Sequence, residues 1–224
     1  MPAQPYDVAV VGGGPAGLSA ALWLARYLHR VVVVDSGDPR NWETRGINGY
    51  LGHPRIRSPE LRARGQKECM EYGVEFVSGI VDEAINETGE LFAICLRGGT
   101  VIQAHRILLA IGIKDVWPDI PGLENCYGET IHVCPDCDGY ETRDTKTVVV
   151  GTGRKAVGMA LALTTWTRQI VICTNGEKPD MSQILLDKLK ALNIPVLEAP
   201  IQSVVSKEKE IVGIELEGAM TLDC

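Results

Sequence analysis

Aromatic side chains are scarce in this sequence: Phe, Trp and Tyr make up 5% of its 224 residues. No Lys/Arg-rich run accompanies them, and the formal net charge of −7 is spread along the chain. The stacking platform and basic stripe of a nucleic-acid binder are therefore missing, and nothing marks a membrane-binding face. Long hydrophobic runs are missing too. The first apolar run, Val8 to Val11, stops at glycines before it could serve as a signal or a span, and the residues ahead of it carry no basic region. A cytoplasmic protein with a small-molecule or protein partner is expected. No solenoid-type repeat is visible.

Cysteine is present in an odd number, seven, and only Cys134 and Cys137 are closely spaced. In a reducing compartment that predicts one catalytic pair among buried thiols, with Cys69, Cys95, Cys126, Cys173 and Cys224 as small packing residues. Zinc is the structural competitor for the pair. A tetrahedral site needs a full ligand set, however, and no second close Cys/Cys or Cys/His pair exists; His132 adds only one further ligand, so no metal site is assigned.

What the chain does have is two glycine-rich strand-to-helix turns flanking that dithiol. Tyr6 to Val11 reads as a buried strand, Pro15 to Tyr27 as a helix and Arg30 to Asp35 as a second buried strand, a βαβ unit of a parallel sheet. A helix over Ser58 to Tyr72 and strands at Val74 to Val77, Leu91 to Leu96, Thr100 to His105 and Arg106 to Ile111 follow, with Gly98-Gly99 as a hairpin turn. The rigid, turn-rich stretch from Trp117 to Gly122 is the candidate linker. A second βαβ follows: strand Thr147 to Val150, helix Lys155 to Thr165 and strand Gln169 to Cys173. Beyond it come helix Ser182 to Leu192 and strands near Val196, Val204 and Ile214.

Gly12, Gly14 and Gly17 have the dinucleotide fingerprint spacing: a tight turn, a close approach to pyrophosphate, and a close helix-to-strand contact. Phosphates would face the helix N-terminus, where free N–H groups favour anions. Pro15 suits the first helical turn, and Asp35 ends the next strand as an acceptor for ribose hydroxyls. Cys134-Pro135-Asp136-Cys137-Asp138-Gly139-Tyr140 holds both sulfurs within reach of one disulfide, with redox chemistry as its leading reading. By residue type alone, Asp138 reads either as a proton donor beside a thiolate or as a turn residue.

These segments together resemble the flavin disulfide reductases, and specifically the low-molecular-weight thioredoxin reductases. Gly-Gly-Gly-Pro-Ala-Gly with Asp35 is similar to their FAD-binding turn. Leu108-Leu109-Ala110-Ile111-Gly112 is similar to their Ala-Thr-Gly strand end, with Ile111 in place of threonine. Residues Asp35-Ser36-Gly37-Asp38-Pro39-Arg40-Asn41 and Asn48-Gly49-Tyr50-Leu51-Gly52-His53 are similar to loops near the cofactor, and read equally as solvated loops. The resemblance implies FAD held through Gly12, Gly14, Pro15, Ala16, Gly17, Asp35, Ser36, Arg40, Asn41, Asn48, Ala110 and Gly112. It also implies Cys137 as the thiol nearest the flavin, Cys134 as the thiol that exchanges with substrate, and Asp138 as the acid–base carboxyl.

Gly151-x-Gly153-x-x-Ala156 repeats the strand–turn–helix signature, so Gly151, Gly153 and Ala156 are candidates for NAD(P)H. The following strand ends in Thr174-Asn175-Gly176, without the His-Arg-Arg run of NADPH-dependent thioredoxin reductases, and Gly158-Met159 stands where they carry a glutamate. The Thr-Asn-Gly end instead resembles relatives that include the fungal dithiol oxidases, which pass electrons to oxygen.

The expectation is an α/β fold of two Rossmann-like, three-layer dinucleotide-binding domains: 1–116 for FAD, and 117–224 for NAD(P) with the Cys-x-x-Cys. Both units read as incomplete, the FAD domain lacking its C-terminal part. The expected function is a flavin-dependent thiol–disulfide oxidoreductase acting on a thioredoxin-like protein or a small disulfide, as a homodimer. A dithiol oxidase using oxygen and an inactive flavin-binding scaffold are the alternatives.

Overall fold

The computed structural model describes residues 4–40, 44–87 and 89–224; of the residues singled out above, Asn41 lies outside them. Two compact units make up the chain, one of Met1–Trp42 and Ile56–Val116, the other of Glu43–Arg55 and Trp117–Cys224. The fold is α/β, with Rossmann-like parallel strand pairing in both units.

In the first unit β1 (Tyr6–Val11) leads through α1 (Pro15–Arg26) to β2 (Val31–Asp35), and β1 and β2 pair in parallel from Val8 opposite Val31 to Val11 opposite Val34. Their unbroken apolar runs suit strands covered on both faces. Val8, Val10, Val31 and Val33 pack under α1 and under α2 (Ser58–Glu71), whereas Ala9, Val32 and Val34 pack with Ile94, Ile102 and Ala104 on the opposite face. The strands β3 (Glu75–Ser78), β4 (Val81–Asn86), β5 (Phe92–Leu96) and β6 (Val101–Leu109) complete a sheet of order β3-β2-β1-β6-β5-β4.

β6 is longer than the sequence pattern predicts. The sequence reads two strands broken at His105-Arg106, yet one continuous strand pairs antiparallel with β5 through Val101 to Ala104 and parallel with β1 through Ala104 to Leu109. Both residues are exposed where the strand passes from one partner to the other, so polar side chains mark a change of partner and not an end.

The second unit opens with two four-residue helices, α3 (Leu123–Cys126) and α4 (Pro135–Asp138). A parallel sheet follows, from β7 (Thr147–Val150) through α5 (Gly153–Leu163) to β8 (Ile170–Cys173), then through α6 (Gln183–Ala191) to β9 (Val196–Leu197). Val149, Ile170 and Ile172 bury one face of it against Ala156, Val157 and Ala160 of α5 and Leu189 of α6. The antiparallel strands β10 (Ile201–Lys207), β11 (Glu210–Leu216) and β12 (Met220–Asp223) form a second, three-stranded sheet. Among the described residues no helix is long and apolar enough to cross a membrane.

Candidate active site

The first glycine turn is built by contacts that only glycine permits at two positions. Gly12 has φ +107°, and a Cβ there would lie 2.3 Å from the Ala110 carbonyl oxygen; a Cβ on Gly17 would lie 1.9 Å from the Gly12 carbonyl oxygen. Ala110 donates its N–H to the Val11 carbonyl at 2.8 Å, which brings the end of β6 beside the turn. Gly112 follows with φ +67°.

Gly14 is different. Its φ of −76° suits any residue, and a Cβ there would meet nothing within 4 Å. Nothing in the protein therefore requires glycine at 14, whereas a ligand laid against the backbone would. Gly14 is also the N-cap of α1, with Pro15 and Ala16 exposed on the first turn. That turn has no side-chain cap and no acid, which leaves its N–H groups for an anion. The open surface at Gly14 and the uncapped helix fit a dinucleotide pyrophosphate.

Asp35 ends β2 beside this turn. One carboxylate oxygen accepts the Gly13 N–H at 2.9 Å, and the other is paired with the Arg62 guanidinium, whose Nε also donates to the Gly13 carbonyl at 3.3 Å. Arg62 has no part in the motif reading. Its signal was helical register, since Ser58, Arg62 and Cys69 share the buried stripe of α2. Ser36 accepts the Asp38 N–H at 3.5 Å, and Arg40 forms a two-pronged pair with Asp115 at 2.7 and 3.0 Å.

In the second unit the structure joins Cys134 to Cys137 in a disulfide, with Cα atoms 5.3 Å apart. Cys134 is the N-cap of α4, Cys137 lies within the helix, and Asp138 ends it. Gly139 follows because a Cβ there would lie 2.5 Å from the Trp166 ring, so the aromatic floor beyond α5 fixes the turn after the dithiol. The other cysteines are thiols. Burial pushes the Cys69 and Cys173 thiols up, which keeps them in the unreactive form. Among the described residues no group of three or more His, Cys, Asp or Glu is placed to hold a metal ion.

Two further side chains converge on Asp138. The Asn48 amide donates to the Cys137 carbonyl at 3.2 Å and to Asp138 Oδ1 at 3.4 Å, so in this structure Asn48 serves the dithiol turn. His132 Nδ1 lies 3.4 Å from Asp138 Oδ2. Burial raises the Asp138 carboxyl above its ordinary range, a neighbouring His132 charge opposes that, Glu141 adds to it, and the Asn48 hydrogen bond opposes it again. The segment 44–55 that carries Asn48 is tied down by Arg45, which pairs with Glu129 and with Glu210.

The second glycine turn has Gly151 at φ +149° and Gly153 at φ +65°, and Ala156 is buried beneath it. Thr152 accepts the Asp180 N–H and donates to the Lys178 carbonyl, both at 3.2 Å, which pins the 178–180 loop beside the turn. Thr174 bonds the Glu177 carbonyl, while Asn175, at φ +53°, accepts the Ile201 N–H at 2.7 Å. Thr174 thus closes its own turn, and the Asn175 side-chain oxygen ties that turn to the start of β10. Arg154 and Lys155, on the first turn of α5, are exposed.

A fingerprint-type glycine turn heads each parallel sheet, and the second unit carries the disulfide. Residues 6–224 match the pyridine nucleotide-disulphide oxidoreductase family, and the chain belongs to that family. A protein of Arthroderma benhamiae described as "Probable thioredoxin reductase" is 30% identical over 190 residues, 82% of this chain and 47% of its own length. The chain thus spans about half the length of the curated relatives it matches. Among solved structures, HlmI superposes with a TM-score of 0.91 at 35% identity, covering 98% of this chain and 69% of that one. The thioredoxin reductase of Streptococcus pyogenes superposes with a TM-score of 0.89 at 25% identity, covering 98% and 73%.

Proposed function

We propose that this protein is a flavin-dependent thiol–disulfide oxidoreductase in which the Cys134–Cys137 pair exchanges with a thioredoxin-like protein or a small disulfide. The observation that carries the reading is the pairing of an open, uncapped glycine turn at Gly14 in one unit with the Cys134–Cys137 disulfide beside a half-buried acid in the other. FAD, when bound, supplies two-electron chemistry to or from the dithiol.

Each protein residue then has a definite task. The α1 N-terminus, with Gly12, Gly14, Pro15, Ala16 and Gly17, accepts the pyrophosphate. Asp35 retains lone pairs for ribose hydroxyls beyond those used by Gly13 and Arg62. Cys134 attacks or is attacked by the substrate sulfur, Cys137 closes the disulfide, and Asp138 gives a proton to the departing thiolate. The carboxyl suits that task because burial keeps it protonated to higher pH than an exposed acid. Gly151, Gly153 and Ala156 are the proposed nicotinamide-nucleotide contacts. A reducing compartment such as the cytoplasm suits the remaining free thiols, and a homodimer is the assembly proposed.

A second reading, a dithiol oxidase that passes electrons to oxygen, is favoured by the Thr174-Asn175 turn, whose Thr174 hydroxyl and Asn175 side-chain oxygen are bonded to Glu177 and Ile201 and which carries no arginine. The two separate in one experiment on protein supplied with FAD. Anaerobic bleaching of the flavin by NADH or NADPH supports the reductase; oxygen uptake on adding a dithiol, without bleaching by either nucleotide, supports the oxidase. Protein that holds no flavin contradicts both.

A further inference from the structure

The loop between α3 and α4 is anchored independently of the dithiol. The Cys126 carbonyl accepts the N–H groups of Glu129, Thr130 and Ile131, and the Thr130 hydroxyl accepts the Ile211 N–H at 3.0 Å and donates to the Lys209 carbonyl at 3.3 Å. His132 follows immediately, so the imidazole is held by a fixed backbone. Its side chain is 22% exposed and that of Asp138 is 25% exposed. Asn48 occupies one carboxylate oxygen and His132 the other. The imidazole and the carboxyl thus reach water to a similar extent, and the imidazole is the titratable side chain placed against the second carboxylate oxygen.

We propose that His132 and Asp138 act as one proton relay, with His132 as the positioning residue that carries protons between water and the Asp138 carboxyl during exchange at Cys134 and Cys137. The inference rests on the disulfide-exchange reading above. With the pair reduced, each cysteine attacks as a thiolate after releasing its proton to water. Cys134 attacks R–S–S–R′: a Cys134–S–S–R bond forms, the original S–S bond breaks, and R′S⁻ leaves with the Asp138 proton. The His132 imidazolium reprotonates Asp138 and recovers a proton from water. Cys137 then displaces RS⁻ from Cys134, RS⁻ takes the second proton from Asp138, and His132 again reprotonates Asp138 and recovers a proton from water. Two electrons pass from the dithiol to the disulfide, and the two protons released by the cysteines balance the two delivered through the relay.

The relay has a pH signature that a merely structural histidine lacks. The groups acting on Asp138 are His132 from the loop before α4, Glu141 from the turn after it, and Asn48 from the 44–55 segment. As a plain neighbouring charge, His132 lowers the Asp138 carboxyl. Removing it would then move the falling limb of the rate profile to higher pH. As a relay, His132 resupplies Asp138 with protons from water as the pH rises and the carboxyl alone loses them. Removing it would then move the limb to lower pH.

The test uses chemically reduced protein without nicotinamide, mixed with hydroxyethyl disulfide or with an aromatic nitrothiobenzoate disulfide. Closure of Cys134–Cys137 is followed by acid quench and mass spectrometry between about pH 5 and 9. The alkyl thiolate needs a proton to leave well, whereas the aromatic thiolate leaves unprotonated. His132→Gln is expected to move the falling limb to lower pH with the alkyl disulfide, with a slowing of about tenfold at neutral pH, and to leave the aromatic disulfide rate unchanged. His132→Asn should behave the same way, and Asp138→Asn should abolish the limb. A limb that stays put or moves to higher pH in His132→Gln overturns the relay, as does equal slowing with both disulfides. If the reduced parent closes no disulfide with either reagent, the exchange reading falls together with the relay.

Discussion

Arg62, 9% exposed on α2, pairs its guanidinium with the carboxylate of Asp35, whose side chain is 19% exposed, at the edge of the first glycine turn. A buried pair of this kind is costly to break on one side, because the remaining charge stays in a poorly solvated place. Arg62→Met should destabilise the fold by about 3 kcal/mol, at the lower end for such pairs because Gly13 still donates to Asp35. Denaturant unfolding measures it. A loss below about 0.5 kcal/mol, the scale of an exposed pair, would show that the contact is incidental.

Gly14 and Gly17 should respond differently to the same change. Valine at 14 points into open space and leaves the fold intact, but it occupies the surface on which pyrophosphate would lie. Gly14→Val is expected to unfold at the parent's denaturant midpoint and to retain no flavin. Gly17→Val would drive its side chain into the Gly12 carbonyl and should lose stability with or without flavin. Flavin absorbance after desalting, read beside each unfolding curve, separates the two. Flavin retained by folded Gly14→Val would refute the placement.

Asp138 carries a stability cost with a definite sign. Its carboxyl is raised in the fold, chiefly by burial, so the protonated form is favoured there. That contribution is fully present below the unfolded value of about 3.9 and is lost as pH rises through the folded value. Asp138→Asn should therefore be more stable than the parent at neutral pH, with the difference shrinking towards zero below about pH 3.9. Urea midpoints across that range check it. An advantage that grows as the pH falls would contradict the assigned sign.

Much of this arrangement was legible in the sequence because both βαβ units show continuous valine- and isoleucine-rich strands, the first of each ending at a glycine turn. β1 and β7 begin and end where the pattern places them. The strand β4 was missed because Val81-Asp82-Glu83-Ala84-Ile85-Asn86 lies at the sheet edge, largely exposed, and so lacks an apolar signal. α3 was missed because four residues are too few to show helical periodicity. At the site, the dithiol and glycine turns were visible as spacings. Arg62 and His132 were not, because each acts through a residue distant in the chain or across an irregular turn. Asn48 illustrates the same limit: its loop was noticed, but its partners, Cys137 and Asp138, are set by folding.

The nicotinamide preference follows from the Thr174-Asn175-Gly176 turn. A 2′-phosphate gains discrimination from charge-assisted arginine contacts, and this turn offers no arginine, only the Thr174 hydroxyl and the Asn175 amide, whose oxygens are bonded to Glu177 and Ile201. No strong preference for NADPH over NADH is expected in anaerobic flavin reduction. Arg154, Lys178 and Arg168 are the exposed cations whose recruitment would overturn this. A preference of about a hundredfold, roughly 2.7 kcal/mol, would show such recruitment.

The most direct test of the central claim is an anaerobic reductive titration of the flavin-loaded protein beside its Cys134→Ser and Cys137→Ser variants. If flavin and the cysteine pair form one redox unit, the parent takes up about four electrons per flavin and each variant about two. Equal uptake by all three proteins would contradict the account.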